Sequence, residues 1–166
     1  MSRLGGGRAW VFGDDIDTDV LAPGIYMKGP IEEMARHCLE SLAPAFASDV
    51  REGDVVVGGR NFGIGSSREQ APQCLRLLGV AAVLAPSYGG IFYRNALNLG
   101  LPALVCAEAG RIADGHRVSV DPLSGEVVDE TAGLTLVCEP LPPHLLAMLD
   151  DGGLVPHLEK RFRKEG

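Results

Sequence analysis

The sequence predicts an α/β domain in which a mixed sheet is flanked by helices, and three patterns carry that expectation. Short β-branched or apolar runs alternate with segments of helical periodicity through the middle of the chain. A glycine-rich loop joins one such run to the helix after it, the layout of a βαβ unit. From Arg117 onward the pattern changes to two-residue alternation around turn-forming residues, as in antiparallel hairpins.

Taken in order, residues 9–12 read as a short strand that runs into an acidic loop, Gly13-Asp14-Asp15-Ile16-Asp17-Thr18-Asp19, before Pro23-Gly24 breaks the chain. Ile31, Met34, Ala35, Cys38, Leu39 and Leu42 recur at helical spacing, so one helix is expected up to the stop at Pro44, with Glu33, Arg36 and Glu40 on its wet side. Residues 54–57 form a β-branched strand, followed by the glycine-rich loop 58–68. A helix is expected to begin at Ser66-Ser67, with Glu69 in its first turn and Gly79 at its exit. Residues 80–85 are a strand apolar on both faces, 89–99 a helix and 102–106 another buried strand. Residues 117–120 and 134–137 are expected to pair as a hairpin around the turn at 121–125, and 145–149 and 155–162 are expected to be short terminal helices.

A chain of 166 residues supports one domain with a real core, taken here as 1–166. Hydrophobic residues at 46% and charged residues at 22% exclude a disordered or collagen-like chain. The net charge of -7 argues against nucleic-acid or anionic-membrane partners, which are themselves negative. The longest apolar stretch, near 77–85, is too short to span a bilayer, and the first residues lack the apolar core of a secretory signal, so a cytoplasmic protein is expected. Cys38, Cys74, Cys106 and Cys138 form no CxxC pair and read as reduced, buried thiols rather than a metal site.

The segment richest in chemistry is Asn61-Phe62-Gly63-Ile64-Gly65-Ser66-Ser67-Arg68-Glu69-Gln70-Ala71-Pro72. Gly63 and Gly65 let the backbone take positive φ and approach a ligand closely, and a helix start behind them favours anions. Arg68 is able to grip a carboxylate through two parallel hydrogen bonds, with Ser67 adding a third. Two blander readings stand beside this one: a serine that only caps the helix, and an arginine paired with Glu69 or a surface acid. The segment is neither a dinucleotide fingerprint nor a P-loop, because the third glycine and the Gly-Lys-Ser/Thr ending are missing. Asp15, Asp17 and Asp19 hint at calcium, but an EF-hand's glycine and terminal glutamate are absent, so orienting Arg68 or a backbone turn is the better use of these acids. For Asp14 and Asp15 a plain solvated turn stays open.

Residues 61–72, together with Pro86-Ser87-Tyr88-Gly89-Gly90-Ile91-Phe92-Tyr93-Arg94-Asn95-Ala96 and Asn98-Leu99-Gly100-Leu101-Pro102, closely resemble the swivel-domain signature of the aconitase superfamily. The acidic loop 13–19 resembles the same family's opening motif, and Asp151-Gly152-Gly153-Leu154 its ending, so the likeness runs in order along nearly the whole chain. The resemblance implies a swivelling β/β/α domain made as a separate small subunit that closes over a large subunit holding a [4Fe-4S] cluster, with no cofactor bound by this chain. It implies a hydro-lyase acting on a small hydroxy dicarboxylic acid, above all the isomerisation of 2- and 3-isopropylmalate in leucine biosynthesis. Homoaconitate or another branched malate is the alternative substrate. It maps the catalytic base onto Ser66, substrate-carboxylate binding onto Ser67 and Arg68, and an active-site aspartate onto Asp19. A serine base requires an electropositive, dehydrated setting that stabilises its alkoxide, and Arg68 supplies that sign of potential.

In the two-subunit members of this family, substrate choice resides largely in the loop after the opening motif, here Ile25-Tyr26-Met27-Lys28-Gly29-Pro30. The resemblance implies that an apolar residue there suits an isopropyl group and an arginine a further carboxylate. Lys28 is neither, whereas Met27 leans to the apolar side. Gln70 and Gly89-Gly90 depart from the family's usual histidine and Ala-Arg and bear on the pocket wall, while Arg94 and Asn95 either buttress the site or lie on a helix surface. A reading from another class, a non-catalytic module that senses a dicarboxylate, differs in one observable: it binds its ligand without any large subunit.

Overall fold

The computed structural model describes residues 2–165, and the side chains of 2–163. One seven-stranded sheet organises the chain, with strand order β4-β3-β2-β1-β5-β6-β7. The strands are β1 (Leu4–Val11), β2 (Val55–Val57), β3 (Ala82–Ala85), β4 (Ala103–Val105), β5 (Arg117–Val120), β6 (Glu126–Asp129) and β7 (Leu134–Val137). The first four pair in parallel, whereas β1–β5, β5–β6 and β6–β7 are antiparallel, so the sheet is mixed as expected. Past β7 the chain turns back to the opposite edge, where the Glu139 amide donates to the Val105 carbonyl at 2.8 Å. The sheet is therefore curled, with its two ends tied together.

Helices α1 (Thr18–Leu21), α2 (Ile31–Ala35), α3 (Phe46–Asp49), α4 (Gln70–Leu77), α5 (Gly90–Asn98), α6 (Pro143–Asp150) and α7 (Leu154–Glu165) flank it. The two-residue period of the parallel strands sorts their side chains into two cores. Val56 and Val83 join Met34, Ala71, Cys74, Leu75 and Phe92 beneath α2, α4 and α5. Val55, Val57 and Leu84 join Val118, Val127 and Leu136 inside the curl, which α6 closes with Leu146 and Leu149. That double burial is why these strands read as continuous apolar runs.

The structure departs from the sequence reading in four places. β1 begins five residues ahead of the expected strand: Gly5 and Gly6 take positive φ at a register shift against β5, and a Cβ at Gly5 would stand 2.9 Å from the Val118 carbonyl. Glycine inside a strand marks close backbone approach, here across a bulge. The expected helix from Ile31 stops at Ala35, and the chain continues in i→i−3 turns to Leu39, whose φ of 60° turns its amide onto the Val20 carbonyl at 3.0 Å. Met34, Ala35, Cys38 and Leu39 are buried as the periodicity required, although Leu42 is not. The hairpin 117–120/134–137 is replaced by a meander, because β6 lies between the two strands and β7 pairs with β6.

The fourth departure concerns the site. Helix α4 begins at Gln70, not at Ser66-Ser67, because proline is tolerated only in a helix's first turn and a start at the serines would place Pro72 beyond it.

The cysteines are all free and all buried, with Cys38 and Cys74 in the outer core and Cys106 and Cys138 inside the curl. Burial pushes the Cys38 thiol up, and pushes Cys74 up to about 12. A thiol reagent such as Ellman's is therefore expected to leave the native chain unlabelled and to register all four cysteines in denaturant, since attack needs an exposed thiolate. Rapid labelling of the native protein would contradict this packing.

Candidate functional site

Two loops meet to build the site. The acidic loop after β1 lies against the glycine-rich loop after β2, and parallel bridges join Asp17 to Ile64 and Phe62 to Tyr88. The Thr18 amide donates to the Ile64 carbonyl at 2.8 Å, and the Gly63 amide to that of Ile16 at 2.6 Å. Each aspartate of the acidic loop is engaged in fixing this geometry. Asp14 accepts from the Arg60 amide at 2.7 Å, and Asp15 accepts from Asn61 Nδ2 at 3.0 Å. Asp17 caps α1 by accepting the Val20 amide at 2.8 Å. Among the described residues no group of His, Cys, Asp and Glu side chains is placed to hold a metal ion.

Asp19 reaches across to the second loop. Its Oδ1 accepts from Arg68 Nη1 at 2.8 Å and from the Gly24 amide at 2.9 Å. Arg68 Nη1 also donates to the Ala22 carbonyl at 3.1 Å, so the guanidinium is anchored at one nitrogen while Nη2 and Nε are not used by these bonds. The Arg68 hydrogen bond, helped by the Gly24 amide, holds the Asp19 carboxyl below its usual range against a smaller opposing effect of burial. The pair is thus present above the ordinary carboxylate range and is lost only as pH falls through that lowered value. Gly24 leaves room for the pair, since a Cβ there would stand 3.1 Å from Asp19 Oδ1 and 3.3 Å from Arg68 Nη2.

Ser66 and Ser67 are exposed, and Arg68 is partly so. The Ser66 amide donates to Thr18 Oγ1 at 3.1 Å, and the two hydroxyl oxygens are also 3.1 Å apart. The Ser67 carbonyl lies 3.5 Å from Asn95 Nδ2 on α5, whereas Arg94 is exposed. Because α4 starts at Gln70, both serines precede the helix by three residues or more and neither caps it. The site's positive character comes from Arg68 rather than from free helix amides. The glycines also act otherwise than expected: a Cβ at Gly63 would enter the Phe92 ring, and one at Gly65 would stand 3.0 Å from Thr18 Oγ1. Both close approaches are internal to the protein, and Asn61, at φ 60°, donates from its amide to Ser87 Oγ at 2.9 Å.

The loop that follows begins beside Arg68 at Gly24 and carries exposed Ile25, Met27 and Lys28, with Tyr26 stacked on His37 at 3.9 Å between ring centroids. Of the departures noted in the sequence, Gly89 has a steric reason, since a Cβ there would be 2.7 Å from the Gly63 carbonyl oxygen. Gly90 has open space around it, and Gln70 is half-buried at the start of α4. A cavity between α6 and α7, lined by Ala147, Asp151, His157 and Lys160, lies apart from these residues, and the serines stand open to solvent. Sequence reasoning missed Thr18, which is 3% exposed yet sits between two aspartates with no periodic neighbour to flag its burial.

No described helix is long and apolar enough to cross a membrane. The four cysteines, buried in separate cores, do not suit a [4Fe-4S] cluster on this chain. Residues 43–109, which hold the serine and arginine, match the aconitase C-terminal domain family. The methanogen homoaconitase small subunit of Methanothermobacter thermautotrophicus is 48% identical over 155 residues, covering 93% of this chain and 90% of that one. The 3-isopropylmalate dehydratase small subunit 1 of Archaeoglobus fulgidus is 50% identical over 150 residues, covering 90% and 93%. The crystal structure of 3-isopropylmalate dehydratase from Methanocaldococcus jannaschii superposes with a TM-score of 0.90 at 42% identity, over 96% of this chain and 98% of that one. With likeness of this extent in both sequence and fold, the chain belongs to the aconitase superfamily, in the family of small subunits of 3-isopropylmalate dehydratase-type hydro-lyases.

Proposed function

We propose that this chain supplies the proton-moving and carboxylate-binding half of a two-subunit hydro-lyase that interconverts 2- and 3-isopropylmalate. The observation that carries the reading is an exposed Ser66 hydroxyl two residues from a guanidinium that Asp19 and the Ala22 carbonyl anchor at one nitrogen. Arg68 offers its remaining donors to a substrate carboxylate, Ser67 adds a hydroxyl, and Ser66 takes the proton from the substrate carbon. Asp19 and Asp17 fix these groups without touching substrate. The large subunit contributes a [4Fe-4S] cluster, which supplies a Lewis acid for the departing hydroxyl. The exposed serines support a site completed by another surface, and closure on that surface removes the water that would otherwise stabilise a carboxylate and an arginine apart.

The test is reconstitution. Either subunit alone is expected to be inactive, and the mixture to turn over isopropylmalate. Ligand binding by the isolated small subunit as tight as by the assembly would instead favour a sensing module. Homoaconitate is the second reading, supported by the exposed Lys28 ammonium and by the homoaconitase small subunit at 48% identity. Replacement of Lys28 by methionine separates the two. On the isopropylmalate reading, kcat/KM for that substrate changes by less than about tenfold, because the methylene stem and not the charge lies along the apolar group. A larger loss, confined to a substrate bearing a further carboxylate, would assign Lys28 to that carboxylate.

A further inference from the structure

Thr18 is the buried polar side chain closest to the chemistry. Its backbone is fixed on both sides: its amide donates to the Ile64 carbonyl at 2.8 Å, and its carbonyl accepts the Ala22 amide at 2.8 Å. Its hydroxyl oxygen accepts the Ser66 amide at 3.1 Å and stands 3.1 Å from Ser66 Oγ. Gly65 makes this approach possible, since a Cβ on it would stand 3.0 Å from the same oxygen. At 3% exposure, Thr18 is shielded from competing water.

A threonine hydroxyl has one hydrogen and two acceptor sites. The Ser66 amide occupies one acceptor site, and that bond polarises the Thr18 O–H and strengthens it as a donor. While Ser66 is neutral, either hydroxyl is able to donate to the other. Once Ser66 is ionised, only Thr18 carries a hydrogen between the two oxygens, so the contact becomes an O–H···O⁻ bond, the stronger charge-assisted kind.

We propose that Thr18 is a positioning residue that fixes the rotamer of Ser66 and stabilises its alkoxide by donating the Thr18 hydroxyl hydrogen to it. The inference rests on the reading of Ser66 as the base. The substrate proton goes to Ser66 Oγ, the C–H electron pair stays with the substrate, and Thr18 keeps its own hydrogen throughout. Arg68 stabilises the same alkoxide through its charge, but its Nη1 is committed to Asp19 and Ala22, whereas Thr18 touches the oxygen directly.

The experiment uses the enzyme assembled with its large subunit and compares Thr18→Val, Thr18→Ala, Thr18→Ser and Ser66→Ala. Without this donor Ser66 ionises less readily, so the fraction present as alkoxide, and with it kcat, is expected to fall about 100-fold in the valine and alanine variants, with KM changed by less than about threefold. Substrate deuterated at the carbon that loses its proton should show a larger isotope effect on kcat in both variants than in the parent, because proton abstraction becomes slower. Thr18→Ser restores the hydroxyl and should keep kcat within about tenfold of the parent. A purely structural threonine predicts a different kinetic pattern, raised KM with an unchanged isotope effect, whereas a lower melting temperature is expected on either reading because both hydroxyl-free variants remove the acceptor of the Ser66 amide. That pattern, or full kcat in both hydroxyl-free variants while Ser66→Ala is inactive, overturns the role of Thr18 and leaves Ser66 standing. Full turnover by Ser66→Ala overturns both.

Discussion

Replacing Ser66 by alanine in the assembled enzyme is expected to lower kcat by about 10²- to 10⁴-fold, the usual worth of a positioned general base, or about 2.7–5.4 kcal/mol of transition-state stabilisation. The loss should fall on kcat rather than KM. Arg68 and Ser67 keep their hold on the carboxylate, so ground-state binding survives, and an interaction made only as the proton moves is what disappears. Folding should be little affected, because the tether between the loops is the Ser66 amide on Thr18 Oγ1, which alanine retains. The hydroxyl lost is exposed, and its removal leaves only the Thr18 hydroxyl hydrogen without its acceptor while Thr18 Oγ1 keeps the Ser66 amide, a cost at the low end of about 1–3 kcal/mol. Steady-state kinetics with saturating large subunit, run beside a thermal melt of the isolated chain, checks both halves. A drop of less than about tenfold would leave Ser66 without the role of base.

Much of this molecule is legible in its sequence, and the failures share a cause. The unit β2, glycine-rich loop, α4 and β3 is readable because both faces of its strands are buried, which writes an apolar run into the chain. The residue types that carry the chemistry stand in the same loop for the same reason of proximity. What stays hidden is set by partners distant in sequence. Arg68 and Asp19 are separated by 49 positions, and Ser66 and Thr18 by 48, so no spacing rule joins them. The glycines ahead of Ala9 resemble a loop until β5 is placed beside them, and the helical period after Ala35 is obeyed in burial while the backbone turns away to meet Val20. β6 is only Glu126-Val127-Val128-Asp129 between turns, too short to be told from a loop before its neighbours are known.

Gly63→Ala is expected to destabilise the chain by about 2–5 kcal/mol, from about 1–3 for forcing atoms into a packed core and about 1–2 for a side chain in the left-handed region. Gly63 sits at φ 80°, and a Cβ there would enter the Phe92 ring. That ring has no easy retreat: it is 1% exposed, edge-on to Phe62 at 5.4 Å and stacked with Tyr88 at 6.2 Å. Backbone relief is equally blocked, since the Gly63 amide is bonded to the Ile16 carbonyl at 2.6 Å and Gly89 lies against the Gly63 carbonyl. At roughly 2–4 °C per kcal/mol for a chain of this size, the melting temperature should fall by about 4–20 °C. Gly90→Ala is the matched control, because a Cβ there meets nothing within 4 Å and the residue begins α5 without positive φ. It should leave stability unchanged or raise it by up to about 1 kcal/mol. Equal melting temperatures for the two variants would mean that the loop carrying Ser66 is not braced against α5 as the Gly63–Phe92 contact requires.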